Sequence, residues 1–160
     1  MRMKKLLFLS VCFSAAVACK KTKEPNTGSS IQSTNTIDSN ASLMATINGE
    51  MWKADSAFGT FIKGSGNDSG MVNLMIEAVK NGADTSRTIL LNVTNYTSPG
   101  TFAIAPPYYT ATYYLNNTRH YATSGQITVT SKQPGSMTGT FSFVADSITV
   151  TDGAFNVSMP

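Results

Sequence analysis

Short runs in which apolar and polar side chains alternate recur through residues 43–160 at a spacing of about 8–12 residues, with turn-forming pairs among them. Asn48-Gly49, Asn81-Gly82, Ser98-Pro99-Gly100, Pro106-Pro107, Pro134-Gly135 and Asp152-Gly153 are the punctuation. Alternation with period two puts successive side chains on opposite faces of a strand, so one face of each run can be buried. Such a chain folds as antiparallel β-structure or does not bury a core at all.

Leu43, Ala45 and Ile47 alternate with Met44 and Thr46 and run into Asn48-Gly49, the pair a type I′ hairpin turn prefers because both residues need positive φ. Glu50 to Ala54 returns with Trp52 on the core face, and Ser56 to Lys63 carries Phe58 and Phe61 or Ile62. Residues 71–80 fit both a helical stripe and a strand. A strand is predicted, because the turn at Asn81-Gly82 and the clear strand Arg87 to Thr94 then complete a hairpin. Thr101 to Ile104, Tyr108 to Leu115, Gln126 to Ser131, Met137 to Ala145, Ile148 to Thr151 and, after a turn at Asp152-Gly153, Phe155 to Met159 follow. Asn116 to Arg119 reads as a loop. The sum is about nine or ten strands in an all-β antiparallel sandwich or flattened barrel.

The N-terminal part is of another kind. Arg2, Lys4 and Lys5 precede the apolar run Leu6 to Ala18, which ends at Cys19. Basic, then apolar, then small residues make a secretory signal. Thirteen residues are too few for a helix to cross the roughly 30 Å hydrocarbon layer, which takes about 20. A cut just before a cysteine resembles the lipobox of bacterial lipoproteins, although Ala16 stands where that motif more often has Leu, Val or Ile. The resemblance implies that Cys19 is acylated and becomes the new N-terminus. Several acyl chains hold durably at about 0.8 kcal/mol per buried methylene, whereas one is marginal. Residues 1–18 are thus read as signal peptide and 19–42 as the lipidated cysteine with a flexible linker of Lys, Thr, Ser, Asn, Gly and Pro; 43–160 is the folded domain.

Charge and cysteine usage agree with export. The formal charge of +3 falls to zero once Arg2, Lys4 and Lys5 leave, and from residue 44 onward six basic residues face seven acidic ones. That balance offers no clustered basic face for nucleic acid. Cys12 and Cys19 are the only cysteines, so the domain folds without disulfides and depends on its core.

Ala45-Thr46-Ile47-Asn48-Gly49-Glu50-Met51-Trp52-Lys53-Ala54, Gly125-Gln126-Ile127-Thr128-Val129-Thr130, Gly139-Thr140-Phe141-Ser142-Phe143 and Asp152-Gly153-Ala154-Phe155 together resemble a family of Bacteroidetes-type lipoproteins of unknown function. The resemblance covers about residues 43–158 and brings no activity, ligand or functional residue. Surface-exported lipoproteins of that lineage often carry acidic residues after the lipidated cysteine. Lys20, Lys21 and Lys23 stand here instead, which points to an outer-membrane anchor on the periplasmic face, with the cell surface as the alternative.

Catalytic chemistry is sparse. His120 is the only histidine, too few for a His/Cys zinc site. No Gly-x-Ser-x-Gly elbow accompanies it, and it reads as a loop-end residue beside Arg119. No cofactor motif appears. The carboxylates Glu50, Asp55, Glu77, Asp146 and Asp152 are scattered over strand ends. Tyrosines are the one cluster: Tyr109 and Tyr113 share the face expected in the core, while Tyr108 and Tyr114, with Tyr121 nearby, are candidate ligand-binding residues. Cross-strand aromatic packing accounts for the same pattern. The expectation is a non-catalytic module that contacts a glycan or an envelope protein; a hydrolase of unrecognised type is the alternative.

Overall fold

A computed structural model describes residues 41–65, 70–82 and 85–160. The signal segment, Cys19 and almost all of the linker lie outside the described residues. Ten strands follow one another: β1 (Ser42–Ile47), β2 (Glu50–Lys53), β3 (Ser56–Lys63), β4 (Val72–Asn81), β5 (Ser86–Val93), β6 (Gly100–Ala103), β7 (Tyr109–Leu115), β8 (Thr118–Gln133), β9 (Ser136–Ala145) and β10 (Ile148–Ser158). The all-β expectation holds, and residues 72–81 form a strand with Leu74, Ile76 and Ala78 buried.

Between sandwich and barrel, the pairing decides. Strands β3, β4, β5, β7, β8, β9 and β10 form a closed ring of seven, sealed where Ser158 of β10 meets Phe58 of β3 in parallel. The β1–β2 hairpin adds to β10, and β6 adds to β8. Closure leaves few open edges. The two long strands make it possible. β8 pairs with β7 over Thr118–Tyr121 and then with β6 over Gln126–Val129, while β10 pairs with β1 and then reaches β3.

Both long strands bend at bulges. The register of β8 slips between Ala122 and Ser124 and between Val129 and Ser131, and that of β10 between Val150 and Gly153. An extra residue on one strand bends it and increases its twist, which turns a barrel corner. Gly125 takes φ 130°, and a Cβ there would collide with the Phe143 backbone. At Gly139 a Cβ would strike the Phe155 ring, so the aromatic side chain covers the missing one. The sequence reading of Asn116–Arg119 as a loop and of Gln126 as a strand start is corrected here. Asn116 and Asn117 alone make the turn, at φ 50° and 66°, and β8 already begins at Thr118. Likewise Asp152-Gly153 is a bulge inside β10, because β9 continues to pair on both sides of it.

The core fills the ring. Trp52, Leu74, Ile76, Ile89, Leu91, Ile127, Phe143 and Val150 are almost fully buried. Each such side chain is worth about 1.5–3 kcal/mol of burial. One end is sealed by an aromatic chain, with ring centroids 5.8 Å apart for Phe61–Tyr96, 6.1 Å for Tyr96–Phe102 and 5.4 Å for Phe102–Tyr109. Lys132 lays its ammonium 4.5 Å from the Phe61 centroid and 5.7 Å from that of Tyr96. The opposite end is polar.

Candidate functional site

The tyrosines sit on the outer face of the β3–β4–β5–β7–β8 arc. Because Leu74, Ile76, Ile89, Leu91, Ala111 and Tyr113 point inward, their neighbours in sequence point outward. Register then lines up two outward rows: Phe58–Glu77–Leu90–Thr112–Tyr121 and Ser56–Val79–Thr88–Tyr114–Arg119. Phe58 is 41% and Tyr121 59% exposed, so the first row ends in a large apolar side chain on each side. Thr112, midway between Leu90 and Tyr121, is buried although it faces outward. A shallow cavity of about 240 Å³ opens beside it, lined by Met75, Glu77, Thr88, Leu90, Tyr114 and neighbours.

Arg119 ties the two tyrosines together. Its guanidinium carbon lies 5.6 Å from the Tyr114 ring centroid, and its Nη1 donates to the Tyr121 hydroxyl at 3.3 Å. That hydrogen bond, with the nearby Tyr114 phenol, holds the guanidinium above its ordinary pKa, so the charge persists at any working pH. Tyr114, Arg119 and Tyr121 thus present two rings and a planar cation on one surface. Such a surface stacks on flat apolar faces and donates hydrogen bonds beside them. Arg119 was legible in the sequence only as a neighbour of His120; its role comes from the two-residue turn that returns β8 along β7.

Tyr108 does not join them. It is 62% exposed and ends the turn after Pro106-Pro107, with its carbonyl accepting from Thr94 N at 2.9 Å. Six residues along an extended chain separate it from Tyr114, about 20 Å. Tyr109 and Tyr113 lie on the inner face as expected, Tyr113 buried and Tyr109 packed in the aromatic chain.

His120 is not a loop residue. It lies in β8 on the inward side, opposite Tyr113, with ring centroids 6.3 Å apart. Its Nδ1 is 2.8 Å from Oδ2 of Asp146, in the β9–β10 turn. This pair, invisible at 26 residues' separation, joins the start of β8 to that turn. Among the described residues no three of His, Cys, Asp or Glu come together around a metal-sized space.

A filled ring of seven strands with an accessory hairpin and edge strand makes this a small closed β-barrel domain. Residues 39–158 match the domain of unknown function DUF6252, and the chain belongs to that family. No curated protein and no solved structure is significantly similar to it.

Proposed function

We propose that this barrel is a non-catalytic binding module, carried on a lipid anchor in the bacterial envelope, and that the Tyr114–Arg119–Tyr121 surface makes its contact. The observation that carries the reading is the pairing of two outward tyrosines through one guanidinium, next to a shallow cavity. A glycan suits this surface: a sugar ring stacks its apolar face on tyrosine while hydroxyls take hydrogen bonds from Arg119 and Glu77 accepts others. Glycan-array binding by the full chain should fall at least tenfold in Tyr121→Ala with the fold unchanged by circular dichroism. Equal binding by the variant would remove the surface from the account.

The anchor rests on the signal sequence ending at Cys19. A linker from Lys20 to the start of β1 would span roughly 25 Å if flexible, which would hold the barrel off the headgroups without crossing the periplasm. Lys20, Lys21 and Lys23 favour the outer membrane's periplasmic face. Cys19→Ser should abolish palmitate labelling and release the protein to the soluble fraction. Protease added to intact cells should leave the barrel uncut.

A further inference from the structure

The polar end of the barrel holds a second cavity of about 240 Å³, on the other side of the wall from the tyrosine surface. Ile47, Leu115 and Ile148 supply its apolar lining. Its polar groups are Arg87, Tyr113, Asn48 and Glu50. Arg87 shares the inward side of β5 with Ile89 and Leu91, and its direct partner across the ladder is Lys80 of β4, inward like Ala78. Two half-buried cations facing each other repel. Two of the described carboxylates at this end are engaged elsewhere: Asp55 accepts from Asn81 N at 2.9 Å, and Asp146 is taken by His120. Among the described residues the only ion pair within 4.0 Å is His120–Asp146, so none of the described carboxylates is paired with Arg87.

The other lining groups are donors too. Burial pushes the Tyr113 phenol above its ordinary pKa, with Arg87 pulling it partly back, so it remains protonated and able to donate. Asn48 Oδ1 accepts from Thr149 N at 2.8 Å, which leaves its amide Nδ2 as the remaining donor. Glu50 carries the one negative charge among the lining side chains.

We infer that this mouth binds a small organic carboxylate with a short apolar body. The guanidinium fork matches a carboxylate in a bidentate pair, the phenol and amide add donors, and the body rests on Ile47, Leu115 and Ile148. Lys80 adds attraction at longer range. Glu50 disfavours ligands with a second negative charge, which separates a carboxylate from a phosphate. The site lies apart from the tyrosine surface and stands or falls independently of it.

The test is a calorimetric titration of the purified full chain with 4-methylpentanoate at low ionic strength. Saturable binding is expected, weakened at least tenfold in Arg87→Met. Isopentylamine, the same body with a positive head, should not bind, and inorganic phosphate should bind at least tenfold more weakly. Glu50→Gln, at an exposed position whose change spares the fold, should tighten 4-methylpentanoate severalfold. That second variant keeps the test sound if Arg87→Met folds poorly. The assignment is overturned if the wild-type chain shows no saturable binding, if the amine or phosphate binds as well, or if Glu50→Gln leaves affinity unchanged.

Discussion

The two ends of the barrel solve the same problem in opposite ways. Each must finish a ring of inward-facing side chains where the strands meet water. At one end Phe61, Tyr96, Phe102 and Tyr109 pack ring against ring, and Lys132 covers two of them with its ammonium. At the other, the inward positions carry Lys80, Arg87, Tyr113 and His120. The aromatic end contributes to stability by burying area. The polar end instead sets Lys80 against Arg87 across the ladder, with no ion pair to either among the described residues. The lesson is that the stable end and the chemically capable end of a small barrel need not coincide.

The comparison breaks most visibly at Tyr96. Its side chain is 4% exposed and touches three parts of the plug, so Tyr96→Ala should cost about 3–4 kcal/mol, read as a drop in the urea midpoint with unchanged slope. A loss under about 1 kcal/mol would show that the plug is not what holds this end.

Tyr96→Phe sharpens the same point. The Tyr96 hydroxyl is buried with no hydrogen-bond partner among the described residues. Removing it keeps the ring contacts and deletes a desolvated polar group, so stability should rise by about 1 kcal/mol. A fall of that size would mean that the hydroxyl is satisfied in solution.

His120→Gln should do less at the polar end. Its partner Asp146 is 64% exposed, so water screens the pair, and the expected loss is below about 1 kcal/mol by the same denaturation experiment. A larger loss would make the polar end as structural as the aromatic one.

The smallest effect is confined to alkaline pH. Burial raises the Tyr96 phenol at one end and the Tyr113 phenol at the other above the ordinary 10.0. A folded-state pKa above the unfolded value means that the native chain holds its proton longer. Its contribution is intact below pH 10.0 and is lost as pH rises through the folded value. The urea midpoint should be flat near neutrality and fall from about pH 10 upward. Tyr113→Phe and Tyr96→Phe should each reduce that slope; an unaltered slope in both would assign it to other groups.

Much of the wall was legible from local pattern. Leu43, Ala45 and Ile47 alternate and are buried, Asn48-Gly49 turns with both residues at positive φ, and Phe141, Phe143 and Ala145 line one face. These turn and core residues all lie within the span of the DUF6252 match, a family of unknown function. Long-range partners were not legible. Thr118 and Arg119 read as a continuation of the Asn116-Asn117 loop, yet the ladder to Tyr114 and Leu115 makes them strand. The candidate surface was half legible: Tyr114 and Tyr121 as residue types, Arg119 as their link only in three dimensions.

Alternation and turn chemistry are properties of a few consecutive residues, so the chain alone determined an all-β fold of about nine or ten strands, the faces of most of them and a mainly antiparallel character. Closure of the ring, the switch of β8 and β10 between partners, and the meetings of Arg119 with Tyr121 and of Arg87 with Lys80 were decided by tertiary structure. Register between distant strands depends on how whole faces pack, and no local pattern encodes which two positions will end up opposite each other.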